Sequence, residues 1–287
     1  MVRSIIAPTY FWPGATGVPD GWSRVILAAT YVSTVLLNPN SGPGQQQLQE
    51  FVDITRQSQA AGMKVLGYVD SSYGSRPIID VLSDIDTYSS WYQVDGFFID
   101  DMYILDNAQV DYYQEIHDAV KNSSRYTNES VAQTQLIFNP GAPDVPEAYL
   151  PLADTFVSFE GSATSYQSFQ PAAYTTNYTA SKFWHIVYGC NSNATINATL
   201  QQFTTQTAEY LYITDLGLPN PYNNLPSIDT WTQLLSYMAN MDNTSNMTGD
   251  CHACGDKSTS SASWQIHSVP ASMAFLFLTS LIVCVLQ

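Results

Sequence analysis

Basic residues are scarce in this chain: 9 Lys and Arg stand against 25 Asp and Glu in 287 residues, a formal net charge of -16. That balance excludes a nucleic-acid partner, because phosphate backbones are held mainly by Lys and Arg. It also excludes electrostatic docking on anionic lipid. Histidine is scarce as well, at 4 residues. His117, His185 and His252 lie on separate segments with no HxxxH spacing, so a metal-dependent deacetylase finds no ligand set. No Gly-rich phosphate turn follows the first apolar run, which ends in Tyr10-Phe11-Trp12-Pro13-Gly14. A doubly wound sheet normally places such a turn there. The first residues, Met1-Val2-Arg3-Ser4-Ile5, carry no long apolar stretch of the secretory kind. No metal or cofactor is expected.

What is present is a strongly apolar and aromatic composition, 45% and 13% of the residues. This suffices for a sizeable core and is far too rich for a solvated coil. Short β-rich runs recur at 4–10, 33–38, 64–70, 96–101, 134–139, 154–160, 182–188 and 209–215. Between them lie amphipathic segments at 45–61, 78–92, 110–120, 146–152, 196–208 and 228–239, the first ending at Gly62, a favourable helix stop. Alternating strands and helices over about 240 residues fit a single-domain α/β fold, the (β/α)8 TIM barrel.

The C-terminal part reads differently. Residues 273–287, MAFLFLTSLIVCVLQ, are apolar, and a Ser/Thr-rich run with small residues at Ser260, Ser261 and Ala262 precedes them. Small residues, a polar spacer and a terminal apolar stretch form the signal for a glycolipid (GPI) anchor. The alternative is a retained tail anchor, for which 269–287 is only just long enough. Asn-X-Ser/Thr glycosylation triplets at Asn122, Asn128, Asn177, Asn193, Asn197, Asn243 and Asn246 point to export. An export signal is therefore expected, with this chain beginning downstream of the natural start. The expected layout is a barrel over 1–240, a glycosylated stalk over 241–262 and an anchor signal or tail anchor over 263–287. The protein is expected at the cell surface or in the wall, as a monomer held to the membrane by a lipid.

Of the 4 cysteines, Cys284 lies in the tail. Cys251-His252-Ala253-Cys254 has zinc-like spacing without a second ligand pair. A disulfide from Cys251 or Cys254 to Cys190, tying the stalk to the barrel, is the preferred reading.

Barrel active sites gather at the C-terminal ends of the strands. Those ends supply Tyr10, Asn38, Asp70, Asp100 with Asp101, Asn139, Glu160, His185 with Tyr188, and Asp215, with Tyr73 just beyond the third. Strand alternation puts Asp100 with Gly96 and Phe98 on one face, and Ser158 with Glu160 on another. Two carboxylates in an aromatic site are the equipment of glycoside hydrolysis. Glu160, between Phe159 and Gly161, is expected to be the acid whose pKa is raised. Strand-end acids also cap helices, the plainer explanation for any one of them. Tyr10, Trp12, Tyr68, Tyr73 and Trp184 offer faces for sugar stacking, with Trp184 favoured as core.

LNPNSGPG at 37–44, GYVDSSYGSRP at 67–77, GFFIDDM at 96–102, FNPG at 138–141 and SFEG at 158–161 together resemble the spherulation-specific family 4 (spherulin-4) proteins of glycoside hydrolase family 135. The resemblance spans roughly residues 4–240. It implies a (β/α)8 barrel that cleaves galactosaminogalactan, an α-1,4-linked galactose and N-acetylgalactosamine polymer, at N-acetylgalactosamine-rich stretches. It further implies catalytic carboxylates at Asp100, Asp101 and Glu160, and a galactosamine-containing polysaccharide as partner. The family's tandem is Asp-Glu, whereas this chain has Asp-Asp, which shortens the side chain at 101. A polysaccharide-binding or coat protein on the same barrel is the rival function.

Overall fold

The computed structural model describes residues 3–14, 21–121 and 134–247. Eight parallel strands form one sheet in sequential order: β1 (Ile5–Thr9), β2 (Val32–Leu37), β3 (Lys64–Asp70), β4 (Gly96–Asp100), β5 (Gln135–Phe138), β6 (Thr155–Ser162), β7 (Phe183–Tyr188) and β8 (Tyr210–Ile213). They are almost wholly buried, as apolar strands covered on both faces must be. An isolated parallel bridge, Ser4 to Tyr210, brings β8 back to β1. Here the Ser4 N–H donates to the Glu209 carbonyl at 3.1 Å and the Leu211 N–H to the Ser4 carbonyl at 3.2 Å. The result is the TIM barrel expected from the strand–helix alternation.

The outer layer consists of α1 (Gly21–Leu27), α2 (Gln49–Ala60), α3 (Ile78–Tyr92), α4 (Val110–Lys121), α5 (Ala163–Tyr166), α6 (Asn193–Thr204) and α7 (Ile228–Met247). The expected span 78–92 is α3 to the residue. The expected helix at 196–208 instead starts three residues earlier, because Ser192 and Thr195 form a reciprocal capping box. The segment expected at 146–152 is a 3-10 helix, Glu147–Leu152, with Pro151 inside it. Proline removes the i→i−4 donor that an α-helix needs there.

Helix α7 runs on to Met247, past the expected start of the stalk at 241. After Ile228 the first helix-breaking residue is Gly249, so propagation continues through the polar stretch. The compact barrel unit accordingly extends over Met1–Gly249, and a second unit over Asp250–Gln287 lies outside the described residues. Also outside them are Asn122, Asn128, Cys251, Cys254, Ser260, Ser261 and the apolar tail. No helix among the described residues is long and apolar enough to cross a membrane.

The strand register fixes which side chains enter the barrel. Trp184 and Phe98 meet inside, ring centroids 5.8 Å apart. Parallel neighbours in register point the same way, so Tyr68 beside Phe98 and Asp70 beside Asp100 also face inward. Close approach of β4 to β5 depends on Gly96, where a Cβ would lie 1.9 Å from the Gln135 carbonyl oxygen.

Candidate active site

Three inward-facing strand ends meet at the mouth. The Asn139 Nδ2 donates to Asp100 Oδ1 at 2.7 Å and to Glu160 Oε2 at 2.8 Å. The orientation of this amide is set by the Gly141 N–H, which donates to Asn139 Oδ1 at 2.9 Å. Gly141 reaches that position at φ +63, where glycine carries no steric cost. The run FNPG is thus a device for aiming one amide at two carboxylates.

Glu160 reaches the lumen through a β-bulge. In β6, Val157 pairs with Trp184 and Phe159 with His185, leaving Ser158 as the extra residue. Val157 faces the lumen with Trp184, so strict alternation would turn Glu160 outward. The inserted residue restores it to the inside, beside Ile186. The expected pairing of Ser158 with Glu160 on one face is replaced by this arrangement.

Tyrosines complete the constellation. The Tyr222 phenol donates to Glu160 Oε1 at 2.6 Å, and the Tyr68 phenol donates to Asp100. Tyr10 stands edge-on to both, 5.3 Å from Tyr68 and 5.8 Å from Tyr222. Burial pushes the pKa of Asp100 up from 3.8 to about 6. The Glu160 charge and, less strongly, Asp101 push it the same way, while the Tyr68 and Asn139 donors oppose them. The sequence singled out Glu160 for such a rise; in the structure, burial at the end of β4 raises Asp100. Burial, and then the nearby carboxylates, raise the Tyr10, Tyr68 and Tyr222 phenols, so all three remain protonated donors.

Asp101 leaves strand geometry with φ 51. Its carbonyl accepts from the Tyr73 N–H at 2.7 Å and from Ser71 Oγ at 2.9 Å, and its carboxylate from the Tyr73 phenol. Tyr73 is 59% exposed on a turn with consecutive positive φ values at Ser72, Tyr73 and Gly74. Backbone strain of this kind concentrates at functional sites. Trp12, 54% exposed, lies on the loop after β1 and packs edge-on against Phe51. Tyr188 ends β7 on the inward face, half-buried.

Other expected substrate contacts are used elsewhere. His185 is a correction: it is 2% exposed and faces the helix layer, not the mouth. Tyr166 bonds its Nδ1 at 2.7 Å, and the rings of Phe159, Phe169 and Phe203 surround it. Burial, with Arg3 nearby, lowers its pKa to about 3 and keeps it neutral. Alternation explains the exchange, since Trp184 takes the lumen and its neighbour must face out.

Asp70 accepts from the Ser72 N–H and Oγ at 2.6 and 2.7 Å, Asn38 from the Gly42 N–H at 3.1 Å, and Asp215 from the Ser227 N–H at 2.8 Å. These three fasten the loops around the mouth. Trp184 is fully buried core, as favoured. Tyr222 was missed because its loop, LPNPYNNLP, carries turn residues and no periodicity.

Among the described residues, no cluster of three or more His, Cys, Asp or Glu could hold a metal ion. Asn177, Asn193 and Asn197 are exposed. Cys190 is fully buried, its thiol 3.7 Å from Thr199 Oγ1; Cys251 and Cys254, its expected disulfide partners, lie outside the described residues.

The family model described as Spherulation-specific family 4 matches residues 4–238. Spherulin-4 of Physarum polycephalum is 34% identical over 166 residues. That alignment covers 56% of this chain and 46% of the relative, so it spans about half of the relative's length. Among solved structures, Aspergillus clavatus Sph3 in complex with GalNAc superposes with a TM-score of 0.68 at 25% identity. It covers 83% of this chain and 97% of Sph3.

Proposed function

Because the chain belongs to spherulation-specific family 4, we propose that it is a glycoside hydrolase cutting α-1,4-linked, N-acetylgalactosamine-rich stretches of a galactosaminogalactan-type polysaccharide. The observation that carries this reading is the shared amide. Asn139 holds one oxygen of Asp100 and one of Glu160 within 2.7 and 2.8 Å of a single nitrogen. Those oxygens are therefore closer than the about 6.5–9.5 Å needed to fit a water between an inverting pair. The amino sugar bound to the Sph3 relative supports the substrate class.

In this mechanism Asp100, raised to about 6, retains a proton under mildly acidic conditions and delivers it to the leaving oxygen. Glu160 has a donor on each oxygen and acts as the anion that attacks the anomeric carbon. An acetamido group cis to the leaving oxygen, as in an α-linked N-acetylgalactosamine, cannot attack from the opposite face, so the nucleophile falls to the protein. Water then releases the sugar, with Asp100 now taking its proton, and configuration is retained. Asp101, carried over from the family's tandem, supports this pair from the neighbouring position. Trp12 and Tyr73 at the rim are suited to stack on sugars farther along the chain.

A second reading, polysaccharide binding without turnover, draws on the shortened side chain at Asp101 and its engagement by Tyr73. Incubation with galactosaminogalactan separates the two. A hydrolase releases reducing ends, and Glu160→Gln and Asp100→Asn each lower the rate at least ~100-fold, with Asp101→Asn costing less. Affinity without release of ends establishes the binder.

The same proposal places the protein at the cell surface, held by a glycolipid near Ser260 or Ser261 and glycosylated at exposed positions including Asn177, Asn193 and Asn197. Phosphatidylinositol-specific phospholipase C should release it from intact cells. A mature protein that still contains residues 273–287 by mass spectrometry would refute the anchor.

A further inference from the structure

Tyr222 lies on the loop between β8 and α7, outside the motifs that carry the family resemblance. Its N–H donates to Asn220 Oδ1 at 3.0 Å, and its carbonyl accepts from the Tyr10 N–H at 3.2 Å. Its ring stands edge-on to Tyr10 and is also packed against Tyr212. Only 7% of the residue is exposed. The loop is thus tied to the end of β1, and it delivers one buried phenol to Glu160 Oε1 at 2.6 Å.

A donor aimed at a carboxylate favours the ionised form. Asn139 already donates to the other oxygen of Glu160, so each carboxylate oxygen accepts a hydrogen bond. We propose that Tyr222 is the positioning residue that aims Glu160 and, by donating to it, favours its charged form. This deepens the glycosidase reading of the site and rests on it for its catalytic meaning. The effect of the Tyr222 hydroxyl on Glu160 can be read without turnover.

Tyr222→Phe removes the hydroxyl and keeps the ring contacts. Turnover should fall about 10–100-fold with KM within about twofold, and the acidic limb of the rate profile should move up by about one pH unit. Asn220→Ala, which keeps the phenol but loosens its loop, should give a smaller change in the same direction. A purely structural role would lower the melting temperature of both variants and leave the limb in place.

The readout independent of activity is a carboxyl titration of the whole protein labelled with [δ-13C]glutamate, in which the signal lost in Glu160→Gln identifies that residue. Its midpoint should rise by about one unit in Tyr222→Phe. An unchanged midpoint overturns the inference, whether or not the polymer is cut. A shifted midpoint in a protein that releases no reducing ends leaves the inference standing and refutes the hydrolase reading.

Discussion

Replacing Asp100 by Asn should cut hydrolysis at least ~100-fold and at the same time stabilise the fold, by an amount that grows between about pH 4 and 6. In the folded protein this carboxyl titrates at about 6 against 3.8 for an unperturbed aspartate. Between those values the folded state binds a proton that the unfolded chain has released, so stability falls as pH rises through the window. Below about pH 4 both states are protonated and the group costs nothing. At about 1.4 kcal/mol per unit, the full penalty is of order 3 kcal/mol, or about 2–3 kcal/mol once solvent at the open mouth has screened part of it.

Asn at this position keeps an oxygen for Tyr68 and Asn139 and never ionises. With a urea slope of about 3 kcal/mol per M, its unfolding midpoint should lie about 0.7–1 M above that of the parent near pH 7.5. The two should coincide near pH 3.5. Tryptophan fluorescence during urea titration measures both midpoints. An equal gain at the two pH values, or a loss near pH 7.5, would show that Asp100 is not held against its preferred charge state.

Asn139→Ala removes the donor common to both carboxylates, and the rate should drop about 100-fold or more. Since that donor opposes the rise at Asp100, the basic limb of the pH–rate profile should also move to higher pH. Gly96→Ala should destabilise the protein by about 3 kcal/mol or more in urea unfolding, because its methyl would meet the Gln135 carbonyl at 1.9 Å. His185→Gln should weaken the fold, as measured by its melting temperature, yet leave the limbs of the pH profile in place. The imidazole titrates at about 3 and faces away from the mouth, so a shifted limb would contradict its placement.

The parts of this molecule that repeat were legible in the sequence. Buried parallel strands read as apolar runs, and their spacing gave all eight, with α3 matching residue for residue. Alternation also placed Asp100 inward, on the face of Phe98. What stayed hidden obeys no period. The short helix α1 follows Pro13, Gly14, Gly17 and Pro19, breakers that mask a seven-residue element. His185 was read from its place near a strand end, whereas its face was decided by Trp184 filling the lumen.

Two of the three groups that touch Glu160 or aim it escape local reading altogether. The bulge at Ser158 is an insertion that alternation cannot register, and Tyr222 arrives from a loop 62 residues away. Both act on the same carboxylate, one by turning it into the barrel and the other by donating to it. Asp100 is placed by the regular pleat alone, and burial there lifts its pKa. The irregular devices thus converge on Glu160, while the regular strand supplies Asp100. A difference in acidity between two neighbouring carboxyls is what a two-carboxylate mechanism requires. In this barrel the two carboxyls are brought together by one inserted residue, one amide and one phenol set into an otherwise periodic frame.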